Sequence, residues 1–288
     1  MAASTTIRSP LYYAWKRFLG NKASLVAGVF ILLLAFAALC APLITPASYE
    51  AQSFLNDALA FPSSTHWFGV DNVGRDLYSR IIYGTRVSLG IGLISALASL
   101  LIGVPLGAIA GYSGGIADWI VLRLVELFSV IPPLLLAILA ASLLGGGILN
   151  IILISSAFGW VGVARLVRGQ VMTVRTKEYV QAARGMGALP RHLIVRHLVP
   201  NSVSPIIVGF VLAIPQAMML ESSLSFLGVG INPPTPSWGQ MIADGLYYLF
   251  FYWHLPLFPT LFLALTVLAT SIFGDGLRDA LDPTLKGK

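Results

Sequence analysis

Charge is what this chain most lacks: 10% of its 288 residues are charged, against 57% hydrophobic, and the mean hydropathy is +0.82. That balance excludes an ordinary soluble domain and places the chain in a bilayer. Cysteine is nearly absent. Cys40 stands alone, so no intrachain disulfide framework is possible. No Gly-x-x-x-x-Gly-Lys-Ser/Thr phosphate loop occurs, which excludes ATP binding by that route. Ionisable groups are scarce at mid-depth of the apolar stretches, whereas an ion-driven carrier or a voltage sensor usually needs several there. The exceptions are an Arg123/Glu126 pair three residues apart, Glu221 after one apolar stretch, and Asp244 in an outer loop. His66, His192, His197 and His254 are scattered without ligand spacing, so no metal site is expected.

What is abundant is apolar length. A helix needs about 20 mostly apolar residues to cross the hydrocarbon, where no water satisfies backbone groups. Six stretches qualify: Ser24 to Ile44, Val87 to Ala110, Leu127 to Leu144, Ile148 to Ala164, Val203 to Leu220 and Leu255 to Phe273. The first is too long for a cleaved signal peptide and reads as a signal anchor. Lys and Arg concentrate in short cytoplasmic loops. With the N-terminus inside, six crossings put both termini, the Gly111 to Glu126 connection and the Arg165 to Asn201 loop in the cytoplasm, and those segments hold fifteen of the eighteen basic residues. Arg75, Arg80 and Arg86 fall on the other side, partly offset by Asp71 and Asp76. Tyr247, Tyr248, Phe250, Phe251, Tyr252 and Trp253 are expected to form an interfacial aromatic belt there. The net charge of +6 thus expresses topology, and no nucleic-acid partner is expected.

The spans are interrupted. Gly103, Gly107 and Gly111 recur every four residues on one helix face, which admits close helix packing. Pro132 with Pro133, Pro205 with Pro215, and Pro256 with Pro259 remove backbone donors and kink helices. Either feature suits packing or gating, with packing the stronger reading for any single residue.

The basic island from Glu178 to Asn201 stands apart. Lys177 to Met186 is expected to form a short helix, Gly187 a left-handed turn, and Pro190 the start of a second helix ending before Pro200. Small Ala182, Ala183 and Gly187 at the tip suit a groove on a partner; Arg175, Lys177, Arg184, Arg191 and Arg196 would suit anionic lipid equally.

This island resembles the cytoplasmic loop of permease subunits in binding-protein-dependent ABC importers, specifically the C-type subunit of the dipeptide, oligopeptide and nickel group. The family motif of Glu-Ala-Ala, three residues, Gly, nine residues, Ile-x-Leu-Pro aligns with Gln181-Ala182-Ala183, Gly187 and Val199-Pro200. Gln181 replaces the family's Glu and His197 its Ile, so the resemblance carries the loop's shape and not a specific acidic contact. Three further stretches resemble the same group: His66 to Leu89 with Asp71, Gly74, Arg75 and Asp76; Glu221 to Gly239 with Trp238; and Gly274 to Pro283.

The resemblance implies an all-α, six-span fold of the type I importer class. It further implies a cytoplasmic segment 1–23, a first span 24–44, an extracytoplasmic loop 45–86, a core permease domain 87–276 and a cytoplasmic tail 277–288. Glu178, Gln181, Ala182, Ala183, Arg184, Gly187 and Pro200 are the expected ATPase-coupling residues. Gly103, Gly107, Pro132, Pro133 and Pro215 are candidates for gating or packing. Implied partners are a B-type permease, two ATP-binding subunits that carry ATP and Mg, an extracytoplasmic binding protein, and membrane lipid. No cofactor and no catalysis are expected in this chain. Peptides are the default cargo, with nickel chelates, glutathione or oligosaccharides as alternatives; a self-sufficient carrier and a lipid-bound scaffold are the rival classes. The implied location is a bacterial or archaeal inner membrane.

Overall fold

Asn21 fixes the first boundary: its side chain accepts the Ser24 amide and caps a long apolar helix. A computed structural model describes residues 10–281 apart from Ser53, so Arg8 and Pro283 lie outside the described residues. Helix α1 (Pro10–Gly20) precedes the cap and α2 (Lys22–Leu39) follows it. Then come α3 (Ala41–Ile44), α4 (Leu77–Ser113), α5 (Gly115–Val130), α6 (Pro133–Leu144) and α7 (Ile148–Val174). The chain continues through α8 (Glu178–Gly185), α9 (Pro190–Leu193), a π-helical turn (Ile194–Leu198), α10 (Val199–Asn201), α11 (Val203–Phe226), α12 (Trp238–Leu246) and α13 (His254–Leu281). Among the described residues there is no sheet, only one isolated bridge between Val70 and Asp76.

Five helices, α2, α4, α7, α11 and α13, are each long and apolar enough to cross a membrane. Helices α5 and α6 pass that test only as a pair, bent by 84° at Ile131–Pro132, so the described residues hold five spans, or six if the bent pair is one. Pro133 at the start of α6 has no amide hydrogen to give, so the helix cannot run through the pair.

Helix α4 is the centre of the bundle and packs on α7, α11, α2 and α5. Its tightest partner is α7. A Cβ on Gly103 would lie 2.7 Å from Val163 Cβ, one on Gly107 2.5 Å from the Ala164 carbonyl oxygen, and one on Gly111 2.7 Å from that of Arg168. The every-fourth-residue glycines are therefore a groove that lets α7 approach to backbone contact. At the opposite side of the bundle, Gly28 meets the Phe273 ring and Gly276 meets Ser24, docking α2 onto α13. The Ser24 hydroxyl donates to the Ile272 carbonyl at 3.2 Å.

Several expected boundaries move. The outer loop 45–86 ends at Asp76, because Asp76 caps α4 through the Ser79 amide at 2.7 Å and the apolar residues Leu77 and Ile81 pack on Met241 and Leu255. Three arginines had interrupted the apolar signal there. Arg80 is buried, and Arg86 donates to the Ala38 and Leu39 carbonyls, capping the C-terminus of α2 with a cation. The Gly111 to Glu126 connection is two helices joined at Gly114 and Gly115, both at positive φ. Helix α13 runs to Leu281, beyond both Phe273 and the expected start of the tail at 277. The aromatic belt divides: Tyr247, Phe250, Phe251 and Trp253 are exposed, whereas Tyr248 and Tyr252 pack inward beside Phe68 and Phe258.

Candidate functional site

The protrusion between α7 and α11 is built on an apolar root. Val180, Ala183, Leu193 and Leu198 are buried with Ala108, Val163, Val167, Val171 and Val174, so the short helices continue the α4–α7 core. Arg175 locks the root by donating to the Gly111 and Tyr112 carbonyls at 2.9 and 3.1 Å. Glu178 sits in the first turn of α8 and Arg184 in its last, both favourable to the helix dipole.

The turn depends on Gly187, at φ +84°. Its amide bonds the Arg184 carbonyl, and the Ala188 amide bonds that of Ala183, closing the end of α8. Gln181, Ala182, Arg184 and Gly187 are exposed. Ala183 is not at the tip: it faces the root and is small because α8 packs closely there. The tip is apolar instead, with Met186 at 82% and Leu189 at 72% exposure. Their exposure at the tip was not legible in the sequence because isolated exposed side chains have no periodic signature.

The second helix does not stop before Pro200. It runs from Pro190 to Asn201 through the π turn, which widens the backbone ahead of a residue that cannot donate. Pro200 thus lies inside the helical run, at the foot of the protrusion.

At the opposite end of the bundle, the other motif residues form one cap. Asp71 accepts the Val73 and Arg75 amides at 3.0 and 2.9 Å and the Arg75 guanidinium at 2.6 Å, folding a turn in which Gly74 takes φ +78°. Arg80 reaches from α4 to within 3.6 Å of Asp71 and donates to the Tyr49 and Pro234 carbonyls, joining three separate outer segments. Asp71, Arg75, Arg80 and Asp244 line a cavity of about 20 Å³, room for one water and not for a solute.

Trp238 is fully buried and donates its indole N–H to the Ile81 carbonyl at 3.2 Å, so it is a core residue and not an interfacial anchor. Glu221, also fully buried, gathers the hydroxyls of Ser222, Ser225, Ser237 and Ser88. Three of those serines in turn accept amides: Ser88 from Trp238, Ser225 from Ile231 and Ser237 from Gln240. Glu221 is the final acceptor of a network that pins the segment between α11 and α12 onto α4. Glu221→Ala should leave these hydroxyls without an acceptor and cost about 1–3 kcal/mol, read as a lower melting midpoint in detergent. An unchanged midpoint would remove the network's structural role. Ser225 lies one turn along the same helix face from Glu221 and Ser222 is its neighbour in the chain, but Ser88 and Ser237 are remote in sequence and only the fold brings them in.

Gly103 and Gly107 lie in the α4–α7 groove, Pro132 and Pro133 at the 84° bend, and Pro215 is buried within α11.

Residues 103–287 match the family described as Binding-protein-dependent transport system inner membrane component. The chain belongs to this family. Residues 9–62 of the permease match a second description, N-terminal TM domain of oligopeptide transport permease C. It is 45% identical to the dipeptide transport system permease protein DppC of Bacillus subtilis (strain 168), over 95% of this chain and 85% of that one. It is 41% identical to the glutathione transport system permease protein GsiD of Pectobacterium atrosepticum, over 98% and 93% of the two chains. Among solved structures, an inward-facing MetNI methionine ABC transporter chain aligns with a TM-score of 0.60 at 18% identity, over 72% of this chain and 98% of that one. That likeness shows the fold of a type I importer permease over the matched 72% of the chain. This chain is therefore a multi-pass transport permease subunit.

Proposed function

We propose that this permease forms half of the pathway of an ATP-driven peptide importer. Its other half is a homologous B-type permease, solute arrives from an extracytoplasmic binding protein, and two separate subunits bind ATP and Mg. Both termini and the protrusion face the cytoplasm, in keeping with the basic residues clustered at that end.

The observation that carries this reading is the protrusion itself. Its apolar tip is exposed while its root belongs to the α4–α7 core, so a load applied at Met186 and Leu189 moves the bundle as a rigid body. ATP binding draws the two ATPases together, the tips follow, and the permease pair opens outward to accept solute; hydrolysis reverses the change. Peptide cargo is supported by the names of relatives in the dipeptide and oligopeptide groups. Glutathione, itself a small peptide, is supported by another.

Purification of the tagged chain in mild detergent should recover a second permease and two nucleotide-binding subunits. The reconstituted complex with its binding protein should accumulate labelled dipeptide only with ATP. Recovery of the chain alone, with uptake driven by an ion gradient, would establish a self-sufficient carrier instead.

A further inference from the structure

No acidic residue occurs before Glu50, whereas Arg8, Lys16, Arg17 and Lys22 all do. Helix α1 lies within that segment, and its described side chains fall in three sectors. Ala14 and Phe18 are buried, and the Phe18 ring meets Phe273 of α13 edge-on at 5.5 Å. Tyr12, Trp15 and Leu19 lie within about 60° of one another at 100° per residue, about a third of a turn from that buried face. They are exposed by 40%, 62% and 46%. Lys16 borders this apolar stripe, and Arg17 lies on the remaining arc.

The depth of α1 follows from its neighbours. Helix α2 has 18 residues, about 27 Å at a rise of about 1.5 Å per residue, against a hydrocarbon layer about 30 Å thick. Its first residue, Lys22, therefore marks one boundary of that layer, the cytoplasmic one in the orientation proposed above. Only Asn21, extended at φ −89° and ψ 93°, separates α1 from it. Gly276 packs on Ser24 and Asn21 at this level, and α13 runs on to Leu281. Helix α1 leans on that foot, which holds its exposed stripe at headgroup depth. Three large apolar side chains facing water there would be unfavourable, whereas Trp and Tyr favour that interface and lysines reach its phosphates. Lys16 and Lys22 are both exposed, and among the described residues no carboxylate lies within ion-pair distance of either.

We propose that α1 lies in the plane of the inner leaflet as an anchor selective for anionic phospholipid. Tyr12, Trp15 and Leu19 enter the boundary between headgroups and acyl chains, and Lys16 and Lys22 hold headgroup phosphates. A segment without carboxylates is the complement of that negative surface and carries nothing that repels it. The proposal takes its leaflet from the orientation given by the basic residues and is independent of the solute carried.

The test uses the full-length chain, in the complex in which it purifies, reconstituted in phosphatidylcholine vesicles containing a minor share of phosphatidylglycerol. Bromine atoms high on the acyl chains, which quench indole on contact, are carried either by the phosphatidylglycerol or by an equal amount of the phosphatidylcholine. Trp15 emission is the difference between the wild type and Trp15→Phe. Brominated phosphatidylglycerol should quench it about threefold more than brominated phosphatidylcholine. Lys16→Gln combined with Lys22→Gln should abolish that excess and leave quenching by phosphatidylcholine in place. Equal quenching of the wild type by the two lipids would overturn the selectivity. Absence of quenching by either would overturn the anchor itself, and quenching by aqueous iodide would then separate a stripe in water from one covered by another subunit. An excess that survives the lysine substitutions would also overturn the proposal, because other groups would be holding the lipid.

Discussion

Gly187→Trp is expected to yield a chain that inserts and folds but imports almost nothing. A Cβ at Gly187 meets no atom of the chain within 4 Å, so the indole has room within this subunit. The residue's φ of +84° does impose strain on any side-chain-bearing residue, of about 1–2 kcal/mol. That cost stays in an exposed turn whose root is fixed by Leu193 and Leu198. The larger effect falls on the partner. If the ATPase groove closes over Met186, Gly187 and Leu189, a bulky side chain there removes about 2 kcal/mol or more of docking energy, roughly a 30-fold loss. Asparagine tolerates the left-handed region, so Gly187→Asn should keep the turn and much of the activity. Uptake, ATP hydrolysis and subunit recovery measured on the two variants separate strain from bulk. Normal uptake by Gly187→Trp would sink the docking role of the tip.

The second large effect is structural. Gly107→Leu should destabilise the bundle by about 3 kcal/mol, because its Cβ would lie 2.5 Å from the Ala164 carbonyl oxygen and backbone cannot escape by changing rotamer. Helices α4 and α7 share the most extensive helix–helix interface in the fold, and the protrusion continues that same core. Separating them should lower the melting midpoint by about 6–12 °C and weaken coupling together with it. Gly90→Leu, on the same helix, is the control. Nothing lies within 4 Å of a Cβ there, and leucine is the better helix former. Equal midpoints for the two variants would show that α4 glycines matter for flexibility and not for contact.

Some of this was legible from local chemistry. The Gly187 turn is readable because only glycine takes that φ at no steric cost, and the Pro190 start because proline at a first helical turn loses nothing. The break at Pro132–Pro133 followed from a missing donor. The direction of Ala183 was not readable: on an eight-residue helix, small size fits equally a partner's groove and the chain's own core. The start of α4 was lost for a related reason. Arg80 and Arg86 look like loop charges to a hydropathy count, yet the fold supplies Arg80 with carbonyls and Asp71, and gives Arg86 the end of α2.

By itself, then, the sequence determined that the chain crosses a membrane several times, which segments are basic, and that a helix-turn-helix lies between Lys177 and Asn201. Those features depend on residues near one another in the chain, through apolar length, helix-breaking prolines and one obligatory glycine. Only the tertiary structure decided that Glu221 ends a serine network, that Trp238 is core, and that Met186 and Leu189 form the tip. Each of these depends on neighbours far away in sequence, and whether a polar group is satisfied or a side chain exposed is settled only when distant helices meet.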